Sequence, residues 1–194
     1  FTNFGQQGQN YDENGNPMDA YYYIDGAATQ YATVEYREGI YVGYKYYETK
    51  FDDAAEADKE AAYENVLYPF GYGLSYTTFD WELVPAEENA ITDAWQKMAM
   101  QVKVTNTGKV AGKDVVQVYA NPPYTVGGIE KASANLVGFA KTDLLAPGES
   151  QTVTIEWVAQ DMASFDWNDA NGNDFVGYEL EAGSYEITAR RNSH

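Results

Sequence analysis

From Thr78 onward the sequence alternates apolar and polar side chains with the period of an extended strand, and that alternation limits what the chain can become. In "MAMQVKVTNTG" the residues Met98, Met100, Val102 and Val104 share one face. "FDWELV", "DVVQVYANPP", "NLVGFAKTDL" and "QTVTIEWV" read as further strands, the last through Val153, Ile155 and Trp157. "MASFDW" and "FVGYEL" are shorter runs, and "AGSYEITARR" closes the set after a turn at Gly183. The turn "NTGKVAGK" carries two glycines, and Pro147 and Gly148 suit the central positions of a type II turn. About seven short strands with frequent turn signals predict an antiparallel, immunoglobulin-like β-sandwich.

The residues before Thr78 follow other patterns. Phe1 to Gln30 is polar and turn-rich, with Asn14-Gly15 and Asn16-Pro17 as turn dipeptides and "AYYYI" as its one apolar cluster. Such a segment is expected to lie as a tail on another surface. Glu38 to Tyr47 has two readings: Ile40, Val42, Tyr44 and Tyr46 alternate as in a strand, while Ile40, Tyr44 and Tyr47 share a helical face. Phe51 to Asn65, rich in Ala and Glu, predicts a surface helix with Asp52 and Asp53 near its start as cap and dipole partners. "VLYPFGYGLSYTTF" follows, where Pro69, Gly71 and Gly73 break regular structure. The expected fold is mainly β: a sandwich over 78–194, preceded over 1–77 by an irregular aromatic-rich segment with a short helix.

Composition excludes several functions. The formal charge is −18 with only 12 Lys and Arg, which argues against nucleic acid as a partner. The absence of cysteine excludes disulfides and thiol catalysis, and the sole histidine, His194, argues against a Ser-His-Asp triad or a His-rich metal site. No apolar run approaches the roughly 18 residues of a membrane span, no signal peptide is visible, and the compartment stays open. The chain begins "FTNFG" without a methionine, as a processed or excised piece would.

Acidic residues are numerous enough to raise glycoside hydrolysis, which uses two facing carboxylates. The candidates Asp52, Asp53, Asp166 and Asp169 sit in turn-like or helix-surface contexts, where no catalytic role is expected. "DWNDANGND" invites a calcium reading, but with Gly172 as the sixth loop residue Trp167 occupies the first ligand position, so a turn between strands is expected. Arg37 and Glu38, ahead of the aromatic cluster, are expected to form a structural ion pair. Trp157 is in phase with the core, whereas Trp81 and Trp95 carry no clear phase. The loop Asn121 to Asn135 is long enough to reach a neighbouring ligand site or to be a plain excursion.

"YREGIYVGYKYYE", "VLYPFGYGLSYTTF", "VKVTNTGKVAGKDVVQVY", "LVGFAKTDLLAPGESQTVTI" and "LEAGSYEI" occur in this order. Together they resemble the C-terminal part of the β-glucosidases of glycoside hydrolase family three, from Tyr36 to Arg190. The resemblance implies a fibronectin type III-like sandwich beside two domains missing here, a (β/α)8-like barrel and an α/β sandwich domain. Those domains would be the partners of this chain, would bind the β-linked oligosaccharide, and would hold the catalytic aspartate and glutamate. No position here inherits a catalytic role, and neither cofactor nor metal is implied. The resemblance also makes Arg37, Glu38, Tyr41, Tyr44, Tyr46, Tyr47, Tyr68, Phe70 and Tyr72 an interdomain seam. Residues Phe51 to Asn65 exceed the family's usual short link, and "ITARRNSH" is similar to members in which the barrel follows this domain. A free carbohydrate-binding module and a cell-surface spacer are the alternatives.

Overall fold

A computed structural model describes residues 38–85 and 90–194, together with the backbone of four two-residue strands nearer the start. The chain divides into two units, Phe1–Gly39 and Ile40–His194. In the first, β1 (Asn10–Tyr11) pairs antiparallel with β2 (Pro17–Met18), and β3 (Tyr23–Ile24) with β4 (Ala27–Ala28). Arg37 and most of the expected tail lie outside the described residues.

The second unit is built on the alternation seen in the sequence. One sheet has the order β5 (Phe79–Leu83), β6 (Lys97–Asn106), β9 (Ser150–Val158), all antiparallel. The other has the order β12 (Glu186–Arg190), β7 (Val115–Asn121), β8 (Asn135–Lys141). A hairpin of β10 (Ser164–Asp166) and β11 (Gly177–Glu179) stands apart. The register sets Met98 opposite Trp157, Met100 opposite Ile155 and Val102 opposite Val153. These faces meet Val116, Val118 and Ala120 of β7 in a core closed by Phe79, Leu145 and Met162. Each fully buried Val, Ile or Leu contributes about 1.5–3 kcal/mol by removal from water. Trp157 is core, as its phase requires, while Trp81 is half-buried and Trp95 exposed.

Two turns are fixed by named atoms. Asn106 is fully buried; its Oδ1 accepts from Thr77 Oγ1 at 2.6 Å and from the Gly108 N–H at 3.0 Å. Its Nδ2 donates to the carbonyls of Val110 and Leu145, each at 2.8 Å, so one side chain ties the "NTG" turn to both of its neighbours. Gly108 is required by space, since a Cβ there would stand 2.0 Å from Thr77 Oγ1 and 2.8 Å from the Thr78 nitrogen. Pro147-Gly148 forms the expected turn, with Gly148 at φ 81° and the Glu149 N–H donating to the Ala146 carbonyl at 2.9 Å.

The helical segment differs from expectation. Helix α1 runs Tyr44–Asp53, starting after Gly43 at φ 64°, so the ambiguous region is helical only from Tyr44, and residues 38–43, Ile40 among them, are turn and irregular chain rather than strand or helix. The chain leaves the helix at Ala54 and Ala55, both extended, then resumes through a 3-10 turn (Glu56–Asp58) into α2 (Lys59–Tyr63). Asp52 and Asp53 therefore sit at a helix end rather than at its beginning. Their charges there oppose the macrodipole, which helps to explain why one continuous helix does not form. No helix among the described residues is long and apolar enough to cross a membrane.

Candidate functional site

Strand β7 is buried along both faces, which alternation alone does not provide. Val116, Val118 and Ala120 face the sandwich core, and Gln117 and Tyr119 point the other way. These two are also buried, because the segment after Gly43 lies across them. Helix α1 presents Tyr44, Tyr47, Glu48 and Phe51 at helical spacing on one side. Tyr44 stacks on Phe70 with centroids 4.9 Å apart and meets Tyr119 edge-on at 5.9 Å, while its hydroxyl oxygen accepts from the Leu136 N–H at 3.0 Å. Gln117 donates to the Arg191 carbonyl at 2.9 Å and accepts from the Tyr119 hydroxyl at 2.7 Å. Gly71 passes so close that a Cβ would stand 2.4 Å from the Gln117 amide. The Arg190 guanidinium covers the Tyr119 ring at 5.4 Å. Burial raises the pKa of both Tyr44 and Tyr119, as expected for hydroxyls withdrawn from water.

A buried carboxylate fastens the same segment to the last strand. Glu48, 3% exposed, accepts from Tyr63 Oη at 2.6 Å, Ser193 Oγ at 2.7 Å and His194 Nδ1 at 3.0 Å. His194 stacks on Tyr63 at 4.0 Å and meets Phe51 edge-on at 4.6 Å. The Ser193 N–H donates to the Phe70 carbonyl at 2.8 Å. Burial, then the hydrogen bond to Glu48, pushes the Tyr63 hydroxyl up. Helix α1, helix α2 and the residues after β12 thus meet at one polar centre inside an aromatic shell.

The outer side of the segment is both uncharged and exposed. Val66 to Tyr76 contains no charged residue, in a protein of net charge −18. Its side chains nevertheless face solvent: Leu67 is 86% exposed, Leu74 89% and Tyr76 102%, with Tyr68, Phe70 and Tyr72 also exposed. Tyr68 and Tyr72 lean on each other at 5.1 Å. Contiguous exposed apolar surface of this kind makes the strip a candidate interaction site.

A cleft of about 270 Å³ opens between α1 and the loop from Asn121 to Asn135, lined by Tyr41, Asp52, Asp53, Asn121, Tyr124 and Ser133. The Tyr41 hydroxyl donates to Glu130 at 2.5 Å, and burial followed by this bond raises its pKa. The cleft floor is held by Lys131, whose buried ammonium donates to the Pro123 carbonyl at 2.5 Å and pairs with Glu181.

The residues expected at a seam therefore divide. Tyr44 and Phe70 join through ring stacking, and Tyr46 and Tyr47 meet edge-on at 5.2 Å on α1. Tyr68 and Tyr72 belong to the outer strip, and Tyr41 to the cleft. Glu38 belongs to the first unit, which ends at Gly39, and Arg37 lies outside the described residues. The observed cation–ring contacts use other arginines: Arg190 on Tyr119 and Arg191 on Trp81 at 4.4 Å. Arg191 also pairs with Asp114 at 3.1 Å, which accepts from Trp81 Nε1 at 2.7 Å. Glu48, Gln117, Tyr119 and Ser193 were not singled out by sequence; the one local signal was Glu48 four residues after Tyr44, on the same helix face.

The candidate carboxylates have structural settings. Asp166 is buried and accepts the N–H groups of Asn168 at 3.0 Å and Ala170 at 2.7 Å, and Asp169 accepts those of Asn173 at 2.8 Å and Asp174 at 3.2 Å. "DWNDANGND" is the turn joining β10 to β11. Asp52 and Asp53 are exposed neighbours at the end of α1. Among the described residues no three acidic or imidazole side chains are grouped to hold a metal ion.

Comparison with known proteins gives consistent matches. The model of the fibronectin type III-like domain matches residues 114–193. The chain is 43% identical over 164 residues to β-glucosidase A of Butyrivibrio fibrisolvens, covering 79% of this chain and 18% of that protein. It is 43% identical over 154 residues to a β-glucosidase of Ruminococcus albus, covering 79% of this chain and 14% of that protein. Among solved structures, a β-glucosidase from Paenibacillus barengoltzii superposes with a TM-score of 0.68 at 40% identity, over 82% of this chain and 16% of that one. β-Glucosidase 3B from Thermotoga neapolitana, solved with glucose, gives 0.59 at 39% identity, over 82% of this chain and 19% of that one. The chain thus spans less than a fifth of the length of each of these relatives.

Proposed function

The chain is a homologue of the family-three β-glucosidases and contains a fibronectin type III-like domain, and from that premise we propose that it is the non-catalytic C-terminal portion of a retaining β-glycosidase. Residues 78–194 form the supporting sandwich, and residues 1–77 supply the end of the α/β sandwich domain and the connection to it. Cleavage of the β-linked sugar belongs to the barrel and α/β sandwich domain of the same enzyme, and the oligosaccharide meets this chain only through them.

The uncharged, exposed strip from Val66 to Tyr76 carries this reading. Its inner side is locked to β7 by Tyr44, Phe70 and Gln117. Its outer side offers Leu67, Tyr68, Leu74 and Tyr76 to a neighbour. Burying each such side chain contributes about 1.5–3 kcal/mol before the cost of ordering. A segment anchored on one side and adhesive on the other transmits the rigidity of the sandwich to a neighbouring active site.

The test compares the 194-residue chain with its full-length parent on an aryl β-glucoside. The chain alone is expected to give no turnover above buffer, and the parent to hydrolyse the substrate. In the parent, Leu67→Asp with Leu74→Asp is expected to lower activity and thermal stability. Turnover by the chain alone refutes the non-catalytic assignment; an unaffected double variant refutes the docking role of the strip.

A further inference from the structure

The turn between β10 and β11 holds a group of oxygen-bearing side chains that the docking role does not use. From Ser164 to Glu181 the chain carries Asp166, Asp169, Asp174, Glu179 and Glu181, and neither Lys nor Arg. Three side chains meet at one point, since Asn171 Nδ2 at 3.1 Å and Asn173 Nδ2 at 2.5 Å both donate to Glu179 Oε2. The other oxygen of that carboxylate, Oε1, is buried and receives no hydrogen bond. A buried carboxylate oxygen without a partner is costly, and such an atom calls for a cation or a donor. Asp169 is tied into the same turn, accepting the Asn173 N–H at 2.8 Å and the Asp174 N–H at 3.2 Å. Asp174 itself is exposed, and its carboxylate has no partner among the described residues.

The backbone also changes the register in which the turn is counted. Counting from Gly172 as the sixth residue puts Trp167 at the first ligand position. Asp174 is left-handed too, at φ 64°, a conformation uncommon outside glycine. With Asp174 sixth, Asp169, Asn171 and Asn173 fall first, third and fifth, and the seventh residue, Phe175, offers its carbonyl. Glu179 is then eleventh, one short of the acid that closes an EF-hand, and Asp169 and Gly172 are left-handed as well, at φ 53° and 70°. The turn therefore shares the order of ligands with that loop but not its whole backbone path.

We propose that this turn binds one calcium ion through Asp169, Asn171, Asn173 and Glu179. Oxygen is the only ligating element among these side chains, which selects a hard cation. The set contains two acids rather than three, and amide and backbone oxygens complete it. A half-turn of each Asn amide about its last side-chain bond exchanges nitrogen for oxygen toward Glu179, so the two donors that now meet the carboxylate become ligands beside it. Calcium accepts six to eight oxygens in irregular arrangement, whereas magnesium demands a near-ideal octahedron, so a mixed set of this kind favours calcium. With only two carboxylates the affinity is modest, with a Kd of about 0.1–1 mM. The net charge of −18 concentrates cations around the chain. The site shares no residue with the strip and requires no docking by it.

The experiment titrates the chelator-treated 194-residue chain with calcium chloride, and separately with magnesium chloride, in about 150 mM sodium chloride to screen diffuse attraction. Backbone amide resonances are followed, and thermal unfolding is recorded for every variant with and without calcium. The Gly172 and Asn173 amides are expected to shift and saturate at one calcium per chain, with magnesium at least about tenfold weaker. About 10 mM calcium is expected to raise the unfolding temperature by about 3–10 °C. Glu179→Gln keeps an oxygen for the two Asn amides and is expected to weaken calcium binding about tenfold or more while leaving the unfolding temperature in chelator unchanged. Asp169→Asn is expected to weaken it likewise, whereas Asp80→Asn on β5 is expected to have no effect. Absence of a saturable shift in the unsubstituted chain overturns the proposal. Binding that survives in the Asp169→Asn/Glu179→Gln double variant overturns it by placing the ion elsewhere. Equal, non-saturating responses to calcium and magnesium overturn it in favour of diffuse attraction to an acidic chain.

Discussion

Replacing Glu48 by Ala removes the acceptor on which helix α1, helix α2 and the residues after β12 converge. Hydrogen bonds to a charged group contribute about 1.5–3 kcal/mol each, so Tyr63, Ser193 and His194 together set an upper bound of about 5–9 kcal/mol. That bound overstates the loss. Tyr63 and His194 reach solvent and can bond water once the carboxylate is gone, whereas Ser193 is fully buried and keeps a stranded hydroxyl. Removing a buried charge also removes its desolvation cost. The expected loss is about 3 kcal/mol, which for a domain of this size lowers the unfolding temperature by about 6–12 °C. Glu48→Gln keeps the shape and one acceptor and is expected to lose about 1–2 kcal/mol. Urea unfolding followed by near-ultraviolet circular dichroism reads the difference, because tyrosines surround the carboxylate. A Glu48→Ala protein within about 0.5 kcal/mol of wild type would show that the centre does not hold the segment to the sandwich.

Three further outcomes follow from named contacts. Asn106→Ala strands Thr77 Oγ1 and two carbonyls and is expected to cost about 2–4 kcal/mol in chemical unfolding. Ile155→Ala, at a 1% exposed core position, is expected to cost about 2–5 kcal/mol in the same assay. Alkaline pH is expected to destabilise the fold from about pH 10, where an unfolded tyrosine ionises. Tyr41, Tyr44, Tyr63, Tyr119 and Tyr185 all have folded pKa values raised first by burial, so the native state binds more protons there and stability falls as pH rises. Lys45, lowered by burial, acts in the opposite sense as a single group. Phenolate absorbance should lag behind the titration of 18 free tyrosines until the chain unfolds.

The sandwich was legible because its information is local. Met98 to Val104 and Val153 to Trp157 repeat with a period of two, and the register pairs Met98, Met100 and Val102 with Trp157, Ile155 and Val153. Pro147-Gly148 was legible because its turn type demands a positive φ at the second position. The helical segment was less so: Ala and Glu propensity placed a helix over 51–65, yet packing of Tyr44 against Phe70 and Tyr119 moved its start forward, and the extended Ala54-Ala55 step split it. The hub at Glu48 was not legible, since its donors come from positions 15, 145 and 146 residues away. The double burial of β7 was hidden for the same reason, because Gln117 reads as an outward polar residue until the glycine-rich segment is laid on it. The "DWNDANGND" turn fails as a calcium loop when counted from Gly172, and the convergence of Asn171 and Asn173 on Glu179 became apparent only from the pairing of β10 with β11.

The account rests on the strip from Val66 to Tyr76 being a docking surface, and amide hydrogen exchange measures this directly. The strip is compared in the 194-residue chain and in the full-length parent under identical conditions. The account predicts fast exchange in the chain and strong slowing in the parent, confined to the strip and the residues beside it. Equal, fast exchange in both proteins would leave the strip facing water in the intact enzyme and would contradict the account.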